Sequence, residues 1–133
     1  MRNILLATDA DWIRDDVVAA LNDDETEVSR VHRGDEVVEA VRALQPELVI
    51  LDLQIGNMGG IATCHALHLE ASGERIDPVK ILLLLDRADD RFLARSCGAD
   101  GWLVKPAEAF RIRRAAEKIL AGERYEDGAS AVA

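Results

Sequence analysis

The strongest constraint on the fold of this chain is a fivefold alternation between apolar runs and amphipathic helical patterns. The predicted strands are Asn3–Ala7, Glu27–Val31, Leu48–Leu51, Val79–Leu85 and Gly101–Val104. Three of them, the first, third and fourth, are almost continuously apolar, as in parallel strands that helices cover on both faces. Apolar residues at helical spacing predict five helices: Trp12–Asn22, Gly34–Leu44, Gly60–Ala71, Asp89–Ser96 and Ala107–Ala121. Because βα crossovers are right-handed, this order predicts a doubly wound α/β sandwich.

The length of 133 residues suits one domain with one sizeable core. We expect that domain to span residues 1–122, and the small, polar tail of residues 123–133 to be disordered. No second domain is predicted, so a stand-alone domain would act through its own surface. The absence of a long apolar run and of a signal-peptide pattern predicts a cytoplasmic protein without membrane insertion. Cys64 and Cys97 lack CxxC spacing and are predicted to be buried, reduced thiols.

The charge of the chain argues against one class of partner. With 25 acidic and 16 basic residues, the formal net charge is -9. Such a surface repels phosphate backbones, so direct binding of nucleic acid is not expected. The densest basic run, Arg111–Arg114, is short and is interpreted as a solvated helix face or a docking edge.

Polar side chains stand where three of the predicted strands end. Asp52 follows the third strand directly, Thr8 and Asp9 follow the first, and Lys105-Pro106 follows the fifth. In an open parallel sheet, ligands and chemistry collect beyond the carboxyl ends of the strands. An isolated Asp often serves only as a cap of a turn or helix. Three such signals together favour a functional site, where a carboxylate can bind a metal or act as a nucleophile.

With these motifs, the chain resembles a response-regulator receiver domain of two-component signalling over roughly residues 2–121. The segments that carry the resemblance are Ile4–Asp9, Leu48–Gly60 and Cys97–Pro106. The resemblance implies a flavodoxin-like (βα)5 sandwich with a five-stranded parallel sheet in the order 2-1-3-4-5.

The resemblance also implies a role for each matching residue. Asp52 would accept a phosphoryl group from a histidine kinase or phosphotransfer protein. Mg²⁺ would be held by Asp9, Asp52 and the backbone carbonyl of Gln54, and oxygen ligands are those that Mg²⁺ prefers. Lys105 would contact the phosphoryl oxygens, and its peptide bond to Pro106 is usually cis in the family. Such a protein is a phosphoryl acceptor with slow self-dephosphorylation, not an enzyme.

The end of the first strand departs from the family pattern. Family members usually carry two acids there, but the first of these positions is Thr8. A neutral hydroxyl replaces a carboxylate, so Mg²⁺ binding is expected to be weak. Whether the nearby Asp11 compensates through water is left open by the sequence.

The fourth strand departs as well. The family ends it with a Ser or Thr that binds the phosphoryl group and draws a switch aromatic inward, and Trp102 stands at the aromatic position. An ungapped count back from Lys105 puts Leu83 at the hydroxyl position, and a deletion of one or two residues would make it Leu84 or Leu85. A leucine cannot donate a hydrogen bond. Trp102 is therefore predicted to be a partly buried packing residue more than a moving switch.

Two other functions remain as alternatives. The two departures are compatible with a pseudo-receiver, an interaction module that works without phosphorylation. A more remote alternative is a phosphatase of the haloacid-dehalogenase type, with Asp9 and Asp11 as its catalytic acids. In the receiver interpretation, an unknown protein effector would dock on the face of the fourth helix, fifth strand and fifth helix. Receiver domains often form homodimers through their last helices, and no apolar stripe here requires this.

Overall fold

The computed structural model describes residues 1–127, which form one parallel sheet between two helical layers. The strands are β1 Arg2–Ala7, β2 Thr26–Val31, β3 Leu48–Asp52, β4 Lys80–Leu85, β5 Gly101–Val104 and β6 Tyr125–Glu126. The α-helices are α1 Asp11–Leu21, α2 Val37–Leu44, α3 Gly60–Ser72, α4 Arg91–Ser96 and α5 Ala109–Leu120. Short 3-10 turns, Gly34–Glu36 and Ala88–Asp90, precede α2 and α4.

The strand order is β2-β1-β3-β4-β5-β6, and every pairing is parallel. The predicted order 2-1-3-4-5 is therefore confirmed. The predicted number of strands is corrected, because the described residues form a sixth strand beside β5. Among residues 1–127, no helix is long and apolar enough to span a membrane.

The core lies on both faces of the central strands because successive side chains of a strand point to opposite faces. Leu5, Val49 and Leu83 belong to the cluster under α2, α3 and α4. Their neighbours Ile50 and Leu82 belong to the cluster under α1 and α5. All five residues of β3 are buried, so the strand brings Asp52 to the sheet edge with only 2% of its surface exposed.

The predicted disorder of the tail is wrong for its first part. Tyr125–Glu126 forms β6 along the edge of β5. The Asp127 carboxylate accepts the Val104 backbone N–H at 2.9 Å and pairs with Arg111. Its backbone carbonyl accepts the Trp102 indole N–H at 3.3 Å. The polar tail is ordered because β5 would otherwise expose unpaired backbone groups at the sheet edge. The rest of the predicted tail, residues 128–133, lies outside the described residues.

Replacing Asp127 with Ala is expected to lower the free energy of unfolding by about 1–2 kcal/mol. The substitution removes the acceptor of the Val104 N–H and the partner of Arg111 together. Urea denaturation followed by circular dichroism measures the loss. The matched control is Glu123→Ala, because that carboxylate is 62% exposed and lies 3.8 Å from Lys118. The control should stay within about 0.5 kcal/mol of the parent chain, and equal losses in both variants would contradict the role of Asp127.

The two cysteines are buried free thiols, as predicted. The Cys64 thiol donates to the Cys97 carbonyl at 3.4 Å, and the Cys97 thiol donates to the Ala94 carbonyl at 3.3 Å. The neighbouring Cys97 side chain, together with burial, raises the pKa of the Cys64 thiol. Cys64 therefore contributes to packing as a protonated thiol between α3 and α4.

Candidate functional site

Asp52 is the centre of a polar cluster at the carboxyl edge of the sheet. Its Oδ1 atom accepts the Gln54 backbone N–H at 3.0 Å and contacts the ammonium of Lys105. Its Oδ2 atom accepts the Thr8 hydroxyl at 2.7 Å. Three segments that are distant in the sequence therefore converge on one buried carboxylate.

Lys105 reaches this carboxylate from the end of β5. Its backbone N–H donates to the Leu85 carbonyl at 2.8 Å, which continues the ladder one residue past the strand. The peptide bond to Pro106 is cis, as the resemblance implied. The side chain is only 12% exposed, and its ammonium lies between Asp52 and Asp86, 3.0 Å from the latter. The structure thus brings together the acid after β3 and the amine after β5, although β4 lies between these two strands.

Asp86 also belongs to this cluster, although the resemblance to receiver domains assigned it no role. Its second carboxylate oxygen accepts the side-chain amide N–H of Gln54 at 2.6 Å. Desolvation raises the pKa of Asp86, but the hydrogen bonds from Gln54 and Lys105 outweigh it and hold the pKa below its usual value. The signal for Asp86 was its place directly after an apolar strand, the same signal that marked Asp52.

The end of β1 is less acidic than in the expected metal site. Thr8 is fully buried, and its oxygen accepts the Ala10 backbone N–H at 3.1 Å. Asp9 is exposed and lies beside the β3–α3 loop. Asp11 pairs with Arg30 at 2.8 Å, and this hydrogen bond lowers the pKa of Asp11. Arg30 therefore engages the acid that was considered as a substitute for the carboxylate missing at Thr8.

The oxygen atoms available at this edge of the sheet would give Mg²⁺ a site with little negative charge. They belong to the carboxylates of Asp9 and Asp52 and the carbonyl of Gln54, which are oxygen ligands of the kind that Mg²⁺ prefers, with water completing the shell. Thr8 adds a neutral oxygen whose hydrogen points at Asp52. Within the described part of the chain, no three His, Cys, Asp or Glu side chains are grouped to hold a metal ion. These residues would suit only a weak Mg²⁺ site, and the site stays a prediction.

The loop between β3 and α3, which carries Gln54, is held by the 3-10 turn before α2. The Gly34 N–H donates to the Gly56 carbonyl at 3.0 Å, and the Asp35 N–H donates to the Asn57 carbonyl at 2.9 Å. A β-carbon at Gly34 would collide with the Met58 carbonyl, so only glycine permits this close approach. The loop therefore presents Gln54 to Asp52 in a defined position.

The register of β4 distinguishes the three leucines considered for the switch position. Leu84 pairs with Asp52 and packs on the α1 and α5 face. Leu83 pairs with Trp102 in the middle of the ladder. Leu85 is the last residue of β4 and lies on the same face as Trp102. The strand-end position therefore belongs to Leu85, whereas the ungapped count pointed to Leu83.

Trp102 is more buried than predicted. Its side chain is fully buried, not partly, and the Arg95 guanidinium lies 5.5 Å from its ring centre. The indole N–H is bound by the carbonyl of Asp127 in the ordered tail segment. None of the leucines at the end of β4 can donate a hydrogen bond toward a ligand at Asp52.

Comparison with known proteins identifies the family. The family model described as the response regulator receiver domain matches residues 4–117. The nitrate/nitrite response regulator protein NarL of Escherichia coli K12 is 30% identical over 122 residues, which cover 90% of this chain and 55% of NarL. The transcriptional regulatory protein PdtaR of Mycobacterium tuberculosis H37Rv is 33% identical over 106 residues, 79% of this chain and 50% of PdtaR. The chain belongs to the response regulator receiver domain family, and it spans about half the length of these relatives.

Solved structures agree on the fold. The chemotaxis response regulator CheY4 of Vibrio cholerae superposes with a TM-score of 0.77 at 23% identity, over 90% of this chain and 98% of that one. A CheY-like receiver domain protein of Methanospirillum hungatei JF-1 gives a TM-score of 0.78 at 18% identity, over 92% and 95% of the two chains. At these identities the structures support the flavodoxin-like fold alone.

Proposed function

We propose that this domain accepts a phosphoryl group on Asp52 from a histidine kinase or phosphotransfer protein of a phosphorelay. The observation that carries the proposal is the ammonium of Lys105 against the buried carboxylate of Asp52, at the edge where parallel strands end. Membership of the receiver family supports the same chemistry.

In the proposed reaction, a carboxylate oxygen of Asp52 attacks the phosphorus of a phosphohistidine. The P–O bond forms as the P–N bond breaks, its electron pair stays with the departing imidazole, and Asp52 becomes an acyl phosphate. Transfer of this kind depends mainly on positioning and on charge neutralisation. Lys105 supplies one positive charge, and Mg²⁺ held by Asp9, Asp52 and the Gln54 carbonyl would supply more. Water would later hydrolyse the acyl phosphate slowly, so the domain acts as an acceptor and not as an enzyme with a separate substrate.

The proposed output is altered docking of an unidentified protein effector on the face of α4 and α5. The sequence prediction included β5 in this face, but the segment Tyr125–Asp127 covers the edge of that strand. Both helices carry an exposed aromatic side chain, with Phe92 60% and Phe110 64% exposed. Exposed aromatic side chains are frequent anchors of protein interfaces.

The direct test is incubation with acetyl phosphate, or with beryllofluoride, in the presence of Mg²⁺. The phosphoryl donor should add the mass of one phosphoryl group, and either reagent should shift amide signals around Asp52 and Lys105. A chain that keeps its mass and its amide spectrum under all these conditions would reject the proposal.

A second candidate function is an interaction module that binds its partner without phosphorylation. Three observations favour it. The neutral Thr8 stands at the end of β1, and a leucine stands at the end of β4. The polar side chains around Asp52 also already bind one another. This module would present the same face to the effector whether or not Asp52 is modified. The Asp52→Asn variant separates the two functions.

Replacing Thr8 with Asp is expected to raise Mg²⁺ affinity by about tenfold, because it adds a third carboxylate to the site. A Mg²⁺ titration followed by Trp12 fluorescence measures this change, since Trp12 lies at the start of α1 and is 53% exposed. The control is Asp11→Asn, which should leave affinity unchanged because Asp11 is paired with Arg30. An unchanged affinity in the Thr8 variant, or a loss in the Asp11 variant, would contradict this account of the site.

A further inference from the structure

Asp86 brings a second carboxylate to the ammonium of Lys105. The ammonium contacts Asp52 Oδ1 on one side and lies 3.0 Å from Asp86 Oδ1 on the other. The Gln54 amide holds the remaining oxygen of Asp86 at 2.6 Å. The amine therefore has two acidic partners. The contacts form a closed chain through Gln54, Asp86, Lys105 and Asp52.

This arrangement has a cost for a phosphorylated site. A lysine ammonium has three N–H donors, and two of them are already directed at carboxylates. A phosphoryl group carries between one and two negative charges near neutral pH. On Asp52 it would have to share Lys105 with Asp86 and would lie near the charge of Asp86. Like charges a few ångströms apart in a partly buried site repel each other appreciably.

We propose that Asp86 is a positioning residue that holds the Lys105 ammonium between Asp52 and Asp86 and thereby disfavours the phosphorylated form of Asp52. The effect on phosphorylation rests on the proposed function, whereas the restraint of Lys105 does not.

The neighbouring acids do not share this position. Asp90 is buried, and its carboxylate accepts the Arg87 backbone N–H at 3.2 Å. Asp89 lies in the same 3-10 turn and is exposed. Asp89→Asn therefore changes the net charge by the same amount as Asp86→Asn without touching Lys105, and it serves as the matched control. Asn at position 86 keeps the size of the side chain and an oxygen that can accept from Gln54.

The first measurement is the hydrogen exchange of the Lys105 ammonium with water, followed by NMR at one fixed pH, which needs no phosphorylation. Loss of the Asp86 carboxylate should speed this exchange, because the ammonium then keeps only Asp52 as an acidic partner. The Asp89→Asn variant should exchange as the parent chain does, and Asp86→Glu should keep most of the protection of the parent. An exchange rate that is unchanged in Asp86→Asn would overturn the inference.

The second measurement is the fraction of chain phosphorylated at steady state with acetyl phosphate and Mg²⁺. Asp86→Asn should raise the ratio of phosphorylated to unmodified chain about two- to fivefold over the parent and over Asp89→Asn. A lower ratio, or one equal to that of the control, would overturn the inference. If no variant is modified, the proposed function and the effect of Asp86 on phosphorylation both fail, and the exchange of the Lys105 ammonium still decides whether the restraint exists.

Discussion

Replacing Asp52 with Asn is expected to abolish uptake of a phosphoryl group from acetyl phosphate. The amide is neutral and a far weaker nucleophile than the carboxylate, and two nearby acids, Asp86 and Asp11, have other contacts. Asp86 is bound by Gln54 and Lys105, and Asp11 is bound by Arg30. Intact-mass spectrometry of parent and variant under identical conditions measures the loss.

The same variant distinguishes the two candidate functions. Lys105 keeps Asp86 as a partner when the charge of Asp52 is removed, so the fold should persist and an amide spectrum can verify it. Asp89→Asn controls for the change in net charge and should still be phosphorylated. Phosphorylation of Asp52→Asn would mean that another residue is the acceptor. Loss of partner binding in a folded Asp52→Asn chain would count against the module that works without phosphorylation.

Replacing Trp102 with Ala is expected to lower the free energy of unfolding by about 3–5 kcal/mol. The indole is fully buried under α4, and its N–H is bound by the Asp127 carbonyl. Truncation removes a large apolar surface, leaves a cavity and deprives the tail segment of one of its anchors. Urea denaturation followed by circular dichroism measures the loss.

Trp12→Ala is the matched control, because Trp12 is 53% exposed. Its effect should stay within about 0.5 kcal/mol. A loss below about 1 kcal/mol for Trp102→Ala would mean that the site collapses around the missing ring, and the view of Trp102 as a fixed packing residue would be wrong. A large loss supports that view, since a residue that anchors the tail and the core is poorly suited to move as a switch.

Much of the fold could be predicted because local patterns and chain direction suffice for it. Continuous apolar runs indicate central parallel strands, and helical periodicity between them indicates crossovers on both faces. Once the strands are parallel, their carboxyl ends share one edge, so Asp52 and Lys105 were expected at the same edge of the sheet. The cis bond before Pro106 followed from family resemblance, not from periodicity.

The contacts of single acids could not be predicted in the same way. Asp9, Asp11 and Asp86 all follow strands or begin helices, and nothing in their local sequence says which partner each will meet. In the structure, Asp9 is exposed, Asp11 pairs with Arg30, and Asp86 pairs with Lys105. These choices depend on side chains that lie far apart in the sequence.

The sequence by itself determined a doubly wound parallel sheet, with an acid and an amine at its carboxyl edge and no hydroxyl at the end of β4. Those features depend on residue type, spacing and chain direction, which are local. Only the tertiary structure decided that Lys105 pairs with Asp86 as well as with Asp52, and that Arg30 pairs with Asp11. It also decided that residues 125–127 cover the edge of β5 and bind Trp102. The physical reason is that each of these depends on which unpaired donors and acceptors remain at one place after the strands and helices have packed.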